Sequence, residues 1–256
     1  MSDIIIERTA NVSSLILNRP KKKNALSFAM YEALTEALQT AQKDPAVRVV
    51  LLSAAGDAFC SGNDITDFLS SAGMDPTSAP PIRFIESLVG LDKPLIVAVQ
   101  GAAVGIGTTM LLHADLVYAG ENAKFSVPFV GLGLVPEAAS SLLLPRRVGQ
   151  AAANDLLLRG GVIDAQRAAD IGLVNEVVRA PAELLAVARE RADEIAAKPP
   201  RAVRLTKALT RTPQAEVLAR VHEEAKHFAD RVGSDEAREA FMAFMERRPA
   251  NFANFS

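Results

Sequence analysis

The chain has 256 residues, 49% hydrophobic and 23% charged, with a formal net charge of −2. That length carries one large domain or one domain with an appendage, and the near-neutral balance leaves no basic footprint for nucleic acid. Cys60 is the only cysteine, which excludes an intrachain disulfide, and no apolar run approaches the ~20 residues of a membrane span.

The opening Met1-Ser2-Asp3 leads into Ile4-Ile5-Ile6 without a basic n-region, and Asn254-Phe255-Ser256 is no retention or peroxisomal tail. A cytoplasmic protein is therefore expected. Residues 3–9 and 12–18 alternate apolar and polar around Ala10-Asn11 and predict a hairpin, which Arg19-Pro20 ends. Ser27 is an expected N-cap for a helix to Lys43, with Met30, Leu34, Ala37, Leu38 and Ala41 on one face. A buried strand is expected over 47–52. Residues 66–81, holding Ser, Gly, Pro and Asp, predict a mobile loop in which Asp67 and Asp75 are solvated.

A short helix over 81–89 leads to a strand at 95–99. The pattern then predicts a helix over 105–113, a strand over 115–119, a loop over 128–137, and helices over 137–144 and 149–159. Asp164 should cap a further helical turn, and 173–178 a strand. From Pro181 onward the pattern is helical, with boundaries at Pro199-Pro200 and Thr212-Pro213. Strands alternating with helices over roughly the first 180 residues imply a parallel α/β sheet, and the remainder implies a helical appendage. We expect a core over 1–195 and a C-terminal helical region over 196–256. In that region Leu218, Val221, Phe228, Phe241, Met242, Phe244 and Met245 would pack on the core or on another subunit. Phe244, Phe252 and Phe255 suggest a docked end and an oligomer.

Two glycine-bearing stretches carry the chemistry: Ala58-Phe59-Cys60-Ser61-Gly62-Asn63-Asp64-Ile65 and Val99-Gln100-Gly101-Ala102-Ala103-Val104-Gly105-Ile106-Gly107. Each follows an apolar run, and each can aim a backbone N–H at one point. Two such donors suit a carbonyl oxygen that becomes negative, and a helix start at Gly105 adds its dipole. Taken singly, the second stretch fits close helix–sheet packing as well, and the first an ordinary turn. Neither is a dinucleotide fingerprint, because GxGxxG with a downstream acid is absent.

Together, and with Asn18-Arg19-Pro20, Asn24-Ala25-Leu26, Lys93-Pro94, Asp115-Leu116-Val117-Tyr118-Ala119, Ala168-Ala169-Asp170-Ile171-Gly172-Leu173-Val174 and the ending from Ala243 to Phe252, the chain resembles the crotonase superfamily, also called the enoyl-CoA hydratase/isomerase family. The resemblance covers roughly residues 3–252. It implies a crotonase (ClpP/crotonase-like) α/β spiral of ββα units with a C-terminal helical trimerisation region. It implies an acyl-CoA substrate, no tightly bound cofactor beyond the CoA of that substrate, no metal, and a homotrimer or dimer of trimers.

By the same resemblance the N–H groups of Asn63 and Ile106 form an oxyanion hole, acting through backbone so that their side chains carry no information. The two glutamates of the family's hydratases fall on Thr109 and Phe129 here, which argues against standard hydration. Glu137, in Leu134-Val135-Pro136-Glu137-Ala138-Ala139-Ser140-Ser141, resembles the sole acid/base of the peroxisomal-type Δ3,Δ2-enoyl-CoA isomerases. By position alone it is as well explained as a first-turn helix residue. Its sequence neighbours Phe125, Phe129, Val130, Leu132, Leu134 and Val135 would raise its pKa if they line the pocket.

For CoA, the resemblance puts a lysine of Lys21–Lys23, taken as Lys23, near the phosphates and the backbone of Ala25, Ala58, Ser61 and Ile65 near the adenine and pantetheine. It counts Asp64 among the CoA-binding residues and puts Phe244 and Arg247 at positions reaching CoA from the C-terminal helix, often of a neighbouring subunit. Lys21, Lys22 and Lys23 fit a solvated charge run equally well, and Asp64 fits a loop-orienting role. His113 reads as a satisfied core histidine, His222 and His227 as no metal pair, and Cys60 as a small buried filler. The expected activity is a Δ3,Δ2-enoyl-CoA isomerase. Hydratase-like chemistry, another acyl-CoA isomerase or hydrolase, and a CoA-binding protein without turnover are the alternatives. A dehalogenase is disfavoured because that branch uses a tryptophan and the chain has none.

Overall fold

The computed structural model describes residues 2–64, 66–67 and 75–255. A six-stranded sheet runs in the order β1 (Ile4–Thr9), β2 (Val12–Leu17), β3 (Val49–Ala54), β4 (Leu95–Val99), β6 (Leu116–Gly120) and β9 (Glu176–Val178). Within this sheet only the β1–β2 hairpin is antiparallel, and the other pairings are parallel. A smaller sheet joins β5 (Ala102–Val104), β7 (Lys124–Ser126) and β8 (Ile163–Asp164). The helices with described bounds are α1 (Phe28–Lys43), α2 (Pro80–Val89), α3 (Ile106–Thr109), α4 (Ser140–Val148), α5 (Gln150–Arg159), α6 (Ala165–Asp170), α7 (Leu184–Ala196), α8 (Pro200–Thr210), α9 (Gln214–Val232) and α10 (Asp235–Glu246).

The large sheet is buried on both faces, which is why its strands read as continuous apolar runs. Val50, Leu52, Val97, Val99, Val117 and Ala119 face the main core with α1 and α2. Their alternates Val49, Leu51, Ile96, Ala98 and Tyr118 face α7, which presents Leu184, Ala188, Ala192 and Ala196 at four-residue spacing. Helix α9 joins the main core through Val217, Val221 and Ala225. No helix among the described residues is long and apolar enough to cross a membrane.

Ser27 caps α1, its Oγ accepting from Met30 N at 3.3 Å, and Asp164 caps α6, accepting from Arg167 N at 2.8 Å. Replacing Ser27 by Ala should cost about 1 kcal/mol, read as a small drop in melting temperature without loss of fold. The boundaries differ from expectation at several points. The strand expected at 47–52 lies at Val49–Ala54, because Val47 N still bonds Asp44 O in the turn after α1. The helix expected over 105–113 breaks into α3 and a 3-10 turn, Met110–His113. The helix expected from 137 begins at Ser140. The loop expected over 66–81 gives way to α2 at Pro80, and most of its earlier part lies outside the described residues.

Phe244 is 61% exposed, and Phe252 and Phe255 pack on one another with ring centroids 6.3 Å apart.

Candidate active site

The first glycine stretch is held between two partners. Leu26 N donates to Gly62 O (2.9 Å) and Leu26 O accepts from Asp64 N (2.8 Å). Cys60 N donates to Ala102 O and Cys60 O accepts from Val104 N, each at 2.9 Å. In a parallel pairing the residue between the two bonded groups turns its own N–H away. Asn63 is that residue, and among the described residues no backbone carbonyl accepts from its N–H. The Ile106 N–H is likewise unaccepted, as the first donors of a helix are.

Gly107 brings the stretches together, because a Cβ there would come within 2.6 Å of Cys60 O. Gly101 does the same one loop earlier: a Cβ on it would meet Asp57 O at 1.9 Å.

The loop before α1 supports this arrangement. Lys23 and Asn24 take left-handed φ angles of 51° and 54°. Asn24 donates to Ala55 O and Ala58 O, each at 2.8 Å, and accepts from Arg19 N at 2.7 Å. Arg19 in turn bonds Ala25 O and pairs with Asp64 at 2.6 Å, which holds the Asp64 carboxyl below its usual range. Ser61 N donates to Lys23 O at 3.0 Å. Lys23, Ala25, Ala58, Ser61 and Asp64 are thus drawn into one wall. Asp64 serves as a loop clamp there, and Lys23 is engaged by Asp57 at 2.5 Å. Ile65 lies outside the described residues. Phe244 and Arg247 sit at the exposed end of α10, and neither lines the cavity described next.

A cavity of about 140 Å³ opens beside this wall, lined on its apolar side chiefly by Leu26, Phe28, Ile82, Val221, Ala225 and Phe228. Asn63, Asp64, Asp67 and Glu137 are its polar members. Asp67 is not simply solvated, since it accepts from Phe28 N at 2.7 Å. Buried Ile106 does not line the cavity; Gly107 connects it to the wall.

Glu137 is 8% exposed, and its Oε1 is buried with no hydrogen-bond partner among the described residues. It does not sit in a helical first turn. Ala138 and Ala139 follow it at φ 61° and 56°, left-handed conformations that cost on the order of 1 kcal/mol each. Ser140 N closes the turn onto Glu137 O at 3.0 Å, and the buried His113 Nε2 bonds Ala138 O at 2.9 Å. Burial pushes His113 down to about 4, so it is a neutral donor that pins the turn.

Burial, reinforced by the charge of Glu224, pushes Glu137 up to about 8 against a hydrogen bond from the Asn63 side chain. The low-dielectric surroundings come from α1, α2 and α9 rather than from the expected neighbours. Val130 is in fact exposed, and Phe129 meets Phe228 edge-on at 6.4 Å. The Asn63 side chain, expected to be uninformative, accepts from the Tyr31 hydroxyl and donates toward Glu137. Cys60 is fully buried, and burial pushes its thiol up to about 12, so no thiolate is available.

Sequence reasoning passed over Tyr31 and Glu224, and gave Asn24 no role beyond its place in the Asn24-Ala25-Leu26 stretch. A charged residue inside the apolar stripe Val217–Val221–Phe228 was the one legible signal for Glu224.

Among the described residues, no backbone carbonyl accepts from the N–H groups of Asn63 and Ile106, Gly107 packs against Cys60, and Glu137 is a buried carboxyl on the cavity wall. The family pattern described as enoyl-CoA hydratase/isomerase matches residues 7–254, and the chain belongs to that family, whose members act on acyl-CoA substrates. It is 37% identical over 252 residues to the rat protein named enoyl-CoA delta isomerase 2, covering 96% of this chain and 64% of that one. The crotonyl-CoA hydratase of Syntrophomonas wolfei is 35% identical over 98% of this chain and 97% of its own length. The crystal structure of an enoyl-CoA hydratase/isomerase from Pseudoalteromonas atlantica superposes with a TM-score of 0.93 at 42% identity, covering 98% of this chain and all of that one. The fold is that of the crotonases.

Proposed function

We propose that the protein is a Δ3,Δ2-enoyl-CoA isomerase with Glu137 as its single acid/base. The carrying observation is that Glu137 is the buried carboxyl on the cavity wall with an unpartnered oxygen, while Thr109 and Phe129 occupy the positions of the hydratase glutamates. The thioester oxygen of a 3-enoyl-CoA accepts from Asn63 N–H and Ile106 N–H, each donor contributing on the order of 3 kcal/mol to the enolate-like transition state. The Glu137 carboxylate takes a proton from C2, and the electron pair spreads as a dienolate. The carboxyl then returns that proton at C4, leaving the double bond between C2 and C3 with no net gain or loss of atoms. The CoA portion runs along the wall of Lys23, Ala25, Ala58 and Ser61, with Phe244 and Arg247 reaching it from a neighbouring subunit.

A homotrimer or dimer of trimers is part of the same reading. Its support is the exposure of Leu209 (85%), Met245 and Phe244 on the C-terminal helices. The second buried carboxylate, Glu224, does not line the cavity, which weighs against hydration by a glutamate pair.

Assay with 3-enoyl-CoA and 2-enoyl-CoA tests the proposal. A double-bond shift without comparable hydration is expected, and hydration without a shift overturns it. The base acts ionised and its pKa is raised, so kcat/KM should rise with pH and level off above about 8. A profile already flat from pH 5 upward would contradict a buried Glu137 base.

A further inference from the structure

Helix α9 packs against the turn carrying Glu137, and the residue that bonds this turn is a second carboxylate. Glu224 is 5% exposed, in a stripe otherwise made by Val217, Val221, Ala225 and Phe228. Its Oε1 accepts from Ser141 N at 2.9 Å and Ser141 Oγ at 2.5 Å. Its Oε2 is buried without a partner among the described residues, as are Glu137 Oε1, Ser140 Oγ and Thr109 Oγ1. Val221, Ala225 and Phe228 share the cavity wall with Glu137 and Ala138, so Glu224 projects from the same helix just behind that wall.

We propose that Glu224 is a positioning residue whose buried carboxylate, anchored by Ser141, holds a proton on Glu137 and makes the pair carry one negative charge in the resting enzyme. The physical ground is that two carboxyls buried against the same turn, Glu137 in it and Glu224 bonded to its Ser141, do not readily both ionise in a low-dielectric interior. The donors decide where the charge rests. Glu224 receives the Ser141 N–H and O–H and the Ala139 N–H, and Arg220 backs Ser141 at 3.0 Å. Glu137 receives only the Asn63 side chain. Burial raises both carboxyls, and the larger set of donors keeps the charge on Glu224, so Glu137 becomes the stronger base of the two.

The other groups packed around Glu137 do not supply this effect. Tyr31 and Cys60 are held protonated by burial, and His113 is neutral. Asp64 is paired with Arg19, and Asp67 accepts from Phe28 N. On α9, Arg220 pairs with Glu223, and Arg231 is tied to Gly133 O and Glu236.

The proposal rests on Glu137 being the base, and the test separates the two. The pH dependence of kcat/KM for a 3-enoyl-CoA is measured in wild type, Glu224→Gln, Ser141→Ala and Glu137→Gln, with thermal unfolding of each. In Glu224→Gln the acid limb should move down by about one pH unit. Ser141→Ala, which strips a donor from Glu224 and makes it easier to protonate, should move the limb the same way by less. It also keeps the test open if Glu224→Gln does not fold. A limb that stays at the wild-type pH in folded Glu224→Gln, or in Ser141→Ala when Glu224→Gln is unfolded, overturns the pairing. Turnover retained in Glu137→Gln removes the base assignment itself, independently of any shift.

Discussion

Glu137→Gln should lose roughly a thousandfold in kcat for the double-bond shift, within the range by which a positioned general base accelerates proton transfer. The amide keeps the shape and the bond to Asn63 but cannot take a proton from C2. KM should change little, because the apolar wall from Leu26 to Phe228 and the loop around Ala58 are untouched. The fold should not suffer. Glu137 has one buried oxygen without a partner and a pKa raised from 4.5 to about 8. A carboxyl raised in the folded state favours folding most below its unfolded pKa, and that advantage fades as the unfolded chain ionises first. Relative to wild type, the Gln variant should therefore gain melting temperature between about pH 4.5 and 8 and hold the gain above. A variant that is inactive, folded and relatively more stable at alkaline pH separates a catalytic carboxyl from a structural one. With one base serving C2 and C4, a substrate deuterated at C2 should also carry part of its label to C4 in wild type.

Gly107→Ala is expected to have the second-largest effect, although the residue bears no chemistry. The added Cβ would lie 2.6 Å from Cys60 O and 3.0 Å from Cys60 Cβ. Neither atom is the end of a flexible side chain, and Cys60 is bonded through its backbone to Ala102 and Val104. The start of α3 or the first glycine stretch has to shift, which spreads the N–H groups of Asn63 and Ile106. A misplaced oxyanion donor costs about a hundredfold in kcat, and forcing atoms into a packed site costs about 1–3 kcal/mol of stability. Gly161→Ala is the control, since its Cβ would meet no atom within 4 Å. Steady-state kinetics and thermal unfolding of both variants check this. Wild-type kcat in folded Gly107→Ala would break the link between the close approach and catalysis.

The elements legible in the sequence were those with a local physical signal. The Ser27 and Asp164 caps and the apolar strand at 95–99 declare themselves through side-chain chemistry or burial on both faces. The small sheet of β5, β7 and β8 did not, because strands of two or three residues are too short for alternation to show.

At the site, the two glycine stretches and Glu137 were visible through family resemblance. The environment that gives Glu137 its basicity was not, because it is assembled from Leu26, Phe28, Ile82, Val221 and Phe228, which tertiary packing alone brings together. The left-handed Ala138 and Ala139 were hidden for the same reason: nothing in two alanines announces the strain that His113 and Ser140 hold in place.

One point between Asn63 N–H and Ile106 N–H should receive the thioester oxygen, with Glu137 alone facing C2 and C4. A crystal structure with an unreactive acyl-CoA analogue tests it most directly. The thioester oxygen should lie about 3 Å from both nitrogens, with a Glu137 carboxyl oxygen within about 3.5 Å of both carbons. A thioester oxygen bound elsewhere, or another carboxylate standing between C2 and C4, would contradict the account.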